Sequence, residues 1–403
     1  VNDSSSTSSD VAADERNDEL PADGKPWLFR WTLLILCLVW PLVWVGALVT
    51  TSDAGMSVPD WPNTYGDNLL LYPISTWLSG PFDLFIEHGH RLLGMLVGMV
   101  AIAVVVVAFV SERRRWVQAL AVLGLLLVIV QGVLGGMRVV LGDRVLAMVH
   151  GCTAPIVFAV FTVLLVASSR WWKTVIARSY ARQSVGAGGE KGKGDETDES
   201  DESDGGPPSG DGSYEGDGVD GGSGVDGEGG SDGQSGSDGA VKTIRTATKG
   251  WWVLALLAYF QLVLGAQLRH VSMAATPQQF THTVATHILL AFVIWVVCAI
   301  LWLRIRKCGE MTLSRSGLLL LGLVSIQILL GLATWVVNYG FPMFQSYGYP
   351  AHYLVHAKSF WGSFVVCGHV ATGSLILATA VLLGTGSWRV RYRQRFQQAN
   401  ACA

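Results

Sequence analysis

Nine histidines stand in this chain, at positions 88, 90, 150, 270, 282, 287, 352, 356 and 369. Four of them share a depth. His90 lies 23 residues before Arg113, His150 20 before Arg170, His287 17 before Arg304 and His369 20 before Arg389. At a rise of 1.5 Å per helical residue, each would stand roughly 25–35 Å from the basic cluster at the far end of its segment. Ionisable groups at membrane depth are candidates for function by default. Four imidazoles at one level, two in each half of the chain, suit two sites that each hold a planar metal-bound ligand between facing helices. Neutral imidazole is a good ligand for iron, including the iron of haem. His282 competes with His287 for one of these places. His352 and His356 stand more than 30 residues before Arg389 and read as lying outside the bilayer.

Glu87-x-x-His90-Arg91 is the most specific local signal. Residues i and i+3 share a helical face, so Glu87 and His90 are expected to point into one site. A carboxylate there could accept a proton or stabilise developing positive charge. Arg91 could pair through its planar fork with a carboxylate of the ligand. The plainer alternative is an interfacial Glu–Arg pair reaching for water. The preceding stretch, Asp53-Ala54-Gly55-Met56-Ser57-Val58-Pro59-Asp60-Trp61-Pro62, has Gly and Pro for tight turns and Trp for apolar cover. It could close over the outer end of a hydrophobic ligand, or serve as a solvated connector.

The elements that must carry these residues are apolar. Of 403 residues, 50% are hydrophobic and 15% charged, with a mean hydropathy of +0.40. Soluble domains carry about 25% charged residues, so a soluble enzyme is excluded. Eight apolar blocks are predicted to be membrane helices, at Trp27–Thr50, Phe82–Val110, Trp116–Arg138, Val145–Ser168, Trp251–Arg269, Phe280–Leu303, Leu313–Val337 and Phe360–Gly386. Basic clusters follow the even blocks: Arg113, Arg114 and Arg115; Arg170, Lys173, Arg178 and Arg182; Arg304, Arg306 and Lys307; Arg389, Arg391, Arg393 and Arg395. By the positive-inside rule these ends, and both termini, are expected in the cytoplasm. The loop Thr51–Asp83 then faces outward and holds four Asp but no Lys or Arg.

The chain's net charge of −3 conceals an asymmetry. Between Glu190 and Asp238 there are 16 acidic residues and two Lys, leaving 26 basic against 15 acidic residues elsewhere. This Gly-, Asp- and Ser-rich stretch is too poor in large apolar residues to offset its ordering entropy. It reads as a cytoplasmic linker, 183–249, between an N-terminal half, 27–182, and a C-terminal half, 250–388. A polar N-terminus, 1–26, and a basic tail, 389–403, flank them. The N-terminus looks like neither a signal peptide nor a transit peptide, which points to a bacterial plasma membrane. A weak repeat relates the halves: Gln131-x-x-x-Gly135, Gln261-x-x-x-Gly265 and Gln327-x-x-x-Gly331, with Gly46 in the equivalent place of the first block. Six cysteines form no C-x-x-C, so neither a zinc site nor covalent haem attachment is supported.

Several motifs together resemble the haem A synthase family. They are Gly46-Ala47-Leu48-Val49-Thr50, Asp53-Ala54-Gly55-Met56, Pro59-Asp60-Trp61-Pro62, Glu87-x-x-His90-Arg91-Leu92, Leu134-Gly135-Gly136 and Met148-Val149-His150-Gly151. In the second half Leu264-Gly265-Ala266-Gln267-Leu268-Arg269-His270 is a looser match. The resemblance implies an all-α fold of two four-helix bundles related by pseudo-twofold symmetry. It implies oxidation of the C8 methyl of haem O to the formyl group of haem A, the cofactor of terminal oxidases, by successive hydroxylations. By carry-over, His90 and His150 flank the substrate haem with Arg91, Glu87 is catalytic, and His287 and His369 hold haem b. Expected partners are haem O, a haem O synthase, a reduced electron donor such as a quinol, and the lipid bilayer. Nucleic acid is not expected, and a homo-oligomer is allowed but not readable. One branch of the family carries a cysteine pair in the first outer loop; Thr51–Asp83 has none.

Two other functions use the same features. A bis-histidine membrane cytochrome b, oxidising quinol, explains four histidines but not a Glu87 that accompanies one of them alone. A transporter with internal repeats calls for polar or broken helices at the midplane, whereas Leu93–Val110 and Ile156–Val166 are almost wholly apolar.

Overall fold

A computed structural model describes residues 26–172, 232–271, 275–308, 310–339 and 359–401. His352, His356, Cys402, the N-terminus before Pro26 and the linker up to Ser231 lie outside the described residues. So do Lys173, Arg178 and Arg182 of the second basic cluster.

Eight long helices run in chain order: α1 Trp27–Thr51, α2 Phe82–Ser111, α3 Arg115–Leu141, α4 Arg144–Ser168, α5 Asp232–Arg269, α6 Pro277–Ile305, α7 Met311–Tyr339 and α8 Phe360–Ala401. All eight are long and apolar enough to cross a membrane. The described residues form no named strand, so the fold is all-α. Each half closes into a ring, α1–α2–α3–α4 and α5–α6–α7–α8, in which neighbours in sequence pack together and the last helix returns to the first. The rings meet where α8 packs on α1 and α4, and α4 on α5.

Apolar side chains face outward along these helices. Ile102, Val106 and Phe109 on α2, Leu126 and Ile129 on α3, and Leu289 and Phe292 on α6 are exposed. In water that pattern would be ruinous; against lipid it is the required surface, since a bilayer offers no reason to bury Leu or Phe. The helix at the seam differs. Of its apolar window α8 buries 61%, against 11–44% for the other seven. Its small residues admit close neighbours: a Cβ at Gly373 would stand 2.7 Å from Leu262, and one at Gly384 2.9 Å from the Trp252 ring. Trp44 of α1 fits the same seam against Gly368, and the Trp40 indole N–H donates to the Ala371 carbonyl at 3.3 Å.

Two boundaries depart from the hydropathy reading. α5 begins at Asp232, well inside the stretch assigned to the linker. Ile244, Ala247, Thr248 and Trp251 form one buried helical stripe there, and the first two join the core made by Leu301, Ile305 and Leu313. Charged residues between these positions hide the stripe from a hydropathy average, although an i, i+3, i+4, i+7 pattern carries it. α8 likewise continues through the basic tail to Ala401. Val390 is buried, and the Arg389 guanidinium lies over the Trp172 ring at 4.5 Å, an arrangement that lets a cation end a membrane helix without facing lipid.

Candidate functional site

The four selected histidines come together as two pairs. His287 of α6 and His369 of α8 face each other with ring centroids 6.3 Å apart. His90 of α2 and His150 of α4 lie within electrostatic reach of one another. Each ring abuts a glycine on an odd-numbered helix. A Cβ at Gly46 would stand 2.9 Å from Cε1 of His90, at Gly135 3.2 Å from His150, at Gly265 3.3 Å from His287, and at Gly331 3.1 Å from His369. The glycines of the repeat are therefore the floor on which the imidazoles rest.

The repeat's glutamines act one turn earlier on the same face. Gln261 Nε2 donates to the His287 carbonyl at 2.8 Å, and Gln327 Nε2 to the His369 carbonyl at 2.9 Å. Gln131 donates to Thr153 Oγ1, which in turn donates to the Val149 and His150 carbonyls. Backbone atoms of Gln131, Gln261 and Gln327 approach His150, His287 and His369. None forms a well-shaped hydrogen bond, and Nδ1 of all four histidines is buried without a partner.

His282 is exposed, five residues from His287 and on another side of α6. His88 points away from both pairs: it is 2% exposed, meets Thr64 Oγ1 through Nδ1 at 3.0 Å and packs against Tyr72 and Trp77. His270, just beyond α5, is half-buried beside a small cavity lined by Met148, Gln267 and Phe280. Burial above all, then the charges of Arg269, Arg138 and Arg144, push it down to about 4, so it is neutral at physiological pH.

Glu87 and Arg91 are both engaged by the Thr51–Asp83 loop. Glu87 is 2% exposed. Its Oε2 accepts from Ser57 Oγ at 2.7 Å and Val58 N–H at 3.0 Å, while Oε1 accepts from Arg91 Nη2 at 2.8 Å. Arg91 also donates to the carbonyls of Val58, Asp60 and Asn63 at 2.7–2.9 Å. Its fork thus grips the outer loop rather than standing open to a ligand carboxylate. The physical reason is local: a loop that turns back on itself leaves carbonyls without helix or sheet partners, and Arg91 lies directly beneath them.

The clasp holds the loop down over the outer end of the first ring. The Trp61 indole fills the space a side chain at Gly136 would need, and the Arg138 guanidinium lies along Gly55. Asp60 sets the turn by accepting from Tyr65 N–H at 2.9 Å and Gly66 N–H at 2.8 Å, where both residues take positive φ. The loop therefore packs against α3 at the end of the first ring where His90 and His150 stand. Burial raises the Asp60 carboxyl, but those N–H donors and the charge of Arg91 outweigh it and hold it below its ordinary value. A depressed carboxyl stabilises the turn above its unfolded pKa of about 4 and loses that contribution as pH falls through the folded value. Asp60→Ala should raise hydrogen exchange at the Tyr65 and Gly66 amides several-fold at neutral pH. In the wild-type chain the same loss of protection, corrected for intrinsic rates, should appear only below pH about 4. Unchanged exchange in the variant would remove Asp60 from this role.

Two residues bearing on the site escaped the sequence reading. Arg138 of α3 stands near both His90 and His150. Arg269 of α5 crosses the seam, donating through Nη2 to the Ala47 carbonyl at 2.7 Å and to Thr51 Oγ1. Their spacing held a signal: each follows a glycine of the repeat by three or four residues, hence on the same face one turn outward.

An all-α polytopic membrane protein with two inward-facing histidine pairs near one end is the class that fold and site define. Residues 29–186 match the family model COX15-CtaA, described as cytochrome oxidase assembly protein. A protein of Hyphomonas neptunium (strain ATCC 15444) named "Heme A synthase" is 29% identical over 112 residues, a match covering 22% of this chain and 30% of that relative. The chain thus spans under a third of the relative it matches. Both comparisons are similarities over part of the chain, one over residues 29–186 and the other over 112 residues.

Proposed function

We propose that this chain oxidises the C8 methyl of haem O to a formyl group, producing haem A for a terminal oxidase. The carrying observation is the pairing of imidazoles: two sites, each with two histidines braced by glycines, with a clasped loop over the first. The site residues fit haem. The backbone of Gln131, Gln261 and Gln327 lies beside the His150, His287 and His369 rings, where an outer partner orients an imidazole whose other nitrogen holds a metal. Two imidazoles that each bind one metal at about 2 Å have centroids roughly 6 Å apart, which is the spacing of His287 and His369.

In this reading His90 and His150 hold the haem O substrate, and His287 and His369 hold haem b as resident cofactor. Haem b would supply electron transfer between an external reductant, such as a quinol, and the substrate site, where each of the two hydroxylations would consume dioxygen, two electrons and two protons. The protein's own residues bind, orient and exclude water. Gly46 and Gly135 let α1 and α3 approach the first pair closely. The loop shields it, and Glu87, fixed by three donors one turn from His90, is the group placed to take a proton. A haem O synthase supplies the substrate, and the basic helix ends face the cytoplasm of a bacterial plasma membrane.

Co-expression with a haem O synthase, followed by chromatography of the extracted haems, tests this directly. Haem A or haem O beside haem B is the expected result. Haem B alone would make the protein an electron-transferring cytochrome.

A further inference from the structure

Arg138 lies three residues after Gly135, whose Cβ position is 3.2 Å from His150 Cε1. The two share a helical face, so Arg138 stands about one turn, roughly 5 Å, further toward the outer end than the imidazole. Its guanidinium is half-buried under the loop, with Nη2 2.8 Å from a Cβ built at Gly55. Among the described residues the ion pairs are Glu87–Arg91 and Glu112–Arg114, so Arg138 belongs to neither. Glu87 is within its electrostatic reach, but that carboxylate is already held by Arg91, Ser57 and Val58.

The surroundings hold charge of both signs, the Glu87 carboxylate favouring the Arg138 cation and Arg91 opposing it. Arg91, Arg144 and Arg269 stand around the same outer end, close enough that His270 feels Arg138, Arg144 and Arg269 together. A cation withdrawn from water without a carboxylate partner is costly. The complement that would offset this is a ligand carboxylate, for which the planar guanidinium is a bidentate partner. Arg91 is less available, since the four N–H donors of its Nη1 and Nη2 are taken by Glu87 and three loop carbonyls.

We propose that Arg138 anchors a carboxylate of the tetrapyrrole held between His90 and His150, fixing which edge of the macrocycle faces outward. The proposal rests on the reading of the first pair as a haem site. Arg269 has the corresponding place above the second pair, four residues after Gly265, but it is tied across the seam to α1.

Titration of the purified full-length chain with iron protoporphyrin IX, and separately with its dimethyl ester, tests the anchor. The first-pair signal is the part of the absorption change that His90→Ala removes. At that site the wild-type chain should prefer the diacid by about tenfold or more. Arg138→Gln should abolish the preference by weakening the diacid alone, and Arg138→Lys, which keeps the charge beside Gly55, should retain part of it. No preference in the wild-type chain, or equal changes for both probes in Arg138→Gln, would overturn the anchor while leaving the histidine pair standing. If His90→Ala removes no signal, the first-pair reading itself fails and the anchor with it.

Discussion

His369→Ala is expected to strip one haem from the purified protein and leave the other bound. Its ring faces His287 at 6.3 Å, and Gln327 fixes its backbone through the 2.9 Å hydrogen bond to the His369 carbonyl. Removing one of the two imidazoles would leave a haem bound there with a single protein ligand, and a hole where the ring lay against Gly331. Second-shell changes at metal sites alone cost 10–100-fold in affinity, so loss of a ligand should lower retention of haem B by about tenfold or more. The low-spin absorption of a bis-imidazole haem should vanish with it. His287→Ala should do the same, whereas His282→Ala should leave the spectrum intact, because His282 is exposed. A normal spectrum in both His287→Ala and His369→Ala would remove the second pair from iron binding altogether.

Glu87→Gln is expected to abolish formyl formation while both haems stay bound. General acid–base groups typically contribute 10²–10⁴-fold, so the yield of haem A should fall by about a hundredfold or more. The carboxylate has a second duty, since it holds Ser57 and Val58 of the loop as well as Arg91. An amide cannot accept from all three donors with both its heavy atoms, so the loop would loosen too. Ser57→Ala separates the two effects: it releases one contact of the clasp and keeps the carboxylate. A few-fold loss in Ser57→Ala beside near-complete loss in Glu87→Gln would mark Glu87 as chemical. Equal losses would make it a positioning residue, and a normal yield of haem A from Glu87→Gln would end its part in the reaction.

Much of the framework is legible in the sequence. Bilayer thickness imposes a length of about 20 apolar residues on each crossing, so eight blocks emerge from composition alone and coincide with α1–α8 to within a few residues at most ends. Depth along a helix is linear in sequence, which is why counting back from Arg113, Arg170, Arg304 and Arg389 selected the histidines that form pairs. The glycine repeat was legible for the same reason, since a period along one helix survives in one dimension.

What the tertiary structure alone decided concerns rotation about the helix axes and contacts between distant segments. The sequence could not choose between His287 and His282, which differ by five residues and therefore in azimuth more than in depth; only the position of α8 makes His287 the one that faces His369. Nor could it assign the charges. Sequence spacing leaves Glu87 and Arg91 free to serve a ligand, yet the loop at Ser57–Asn63 folds back 28 to 33 residues along the chain and forms hydrogen bonds with both. Arg138, which closes an apolar block in the sequence, stands near the first histidine pair without the Glu87 carboxylate, which pairs with Arg91. Local spacing sets which residues share a helix face, whereas the assignment of charges depends on which chain segments arrive beside them, and that is settled by packing.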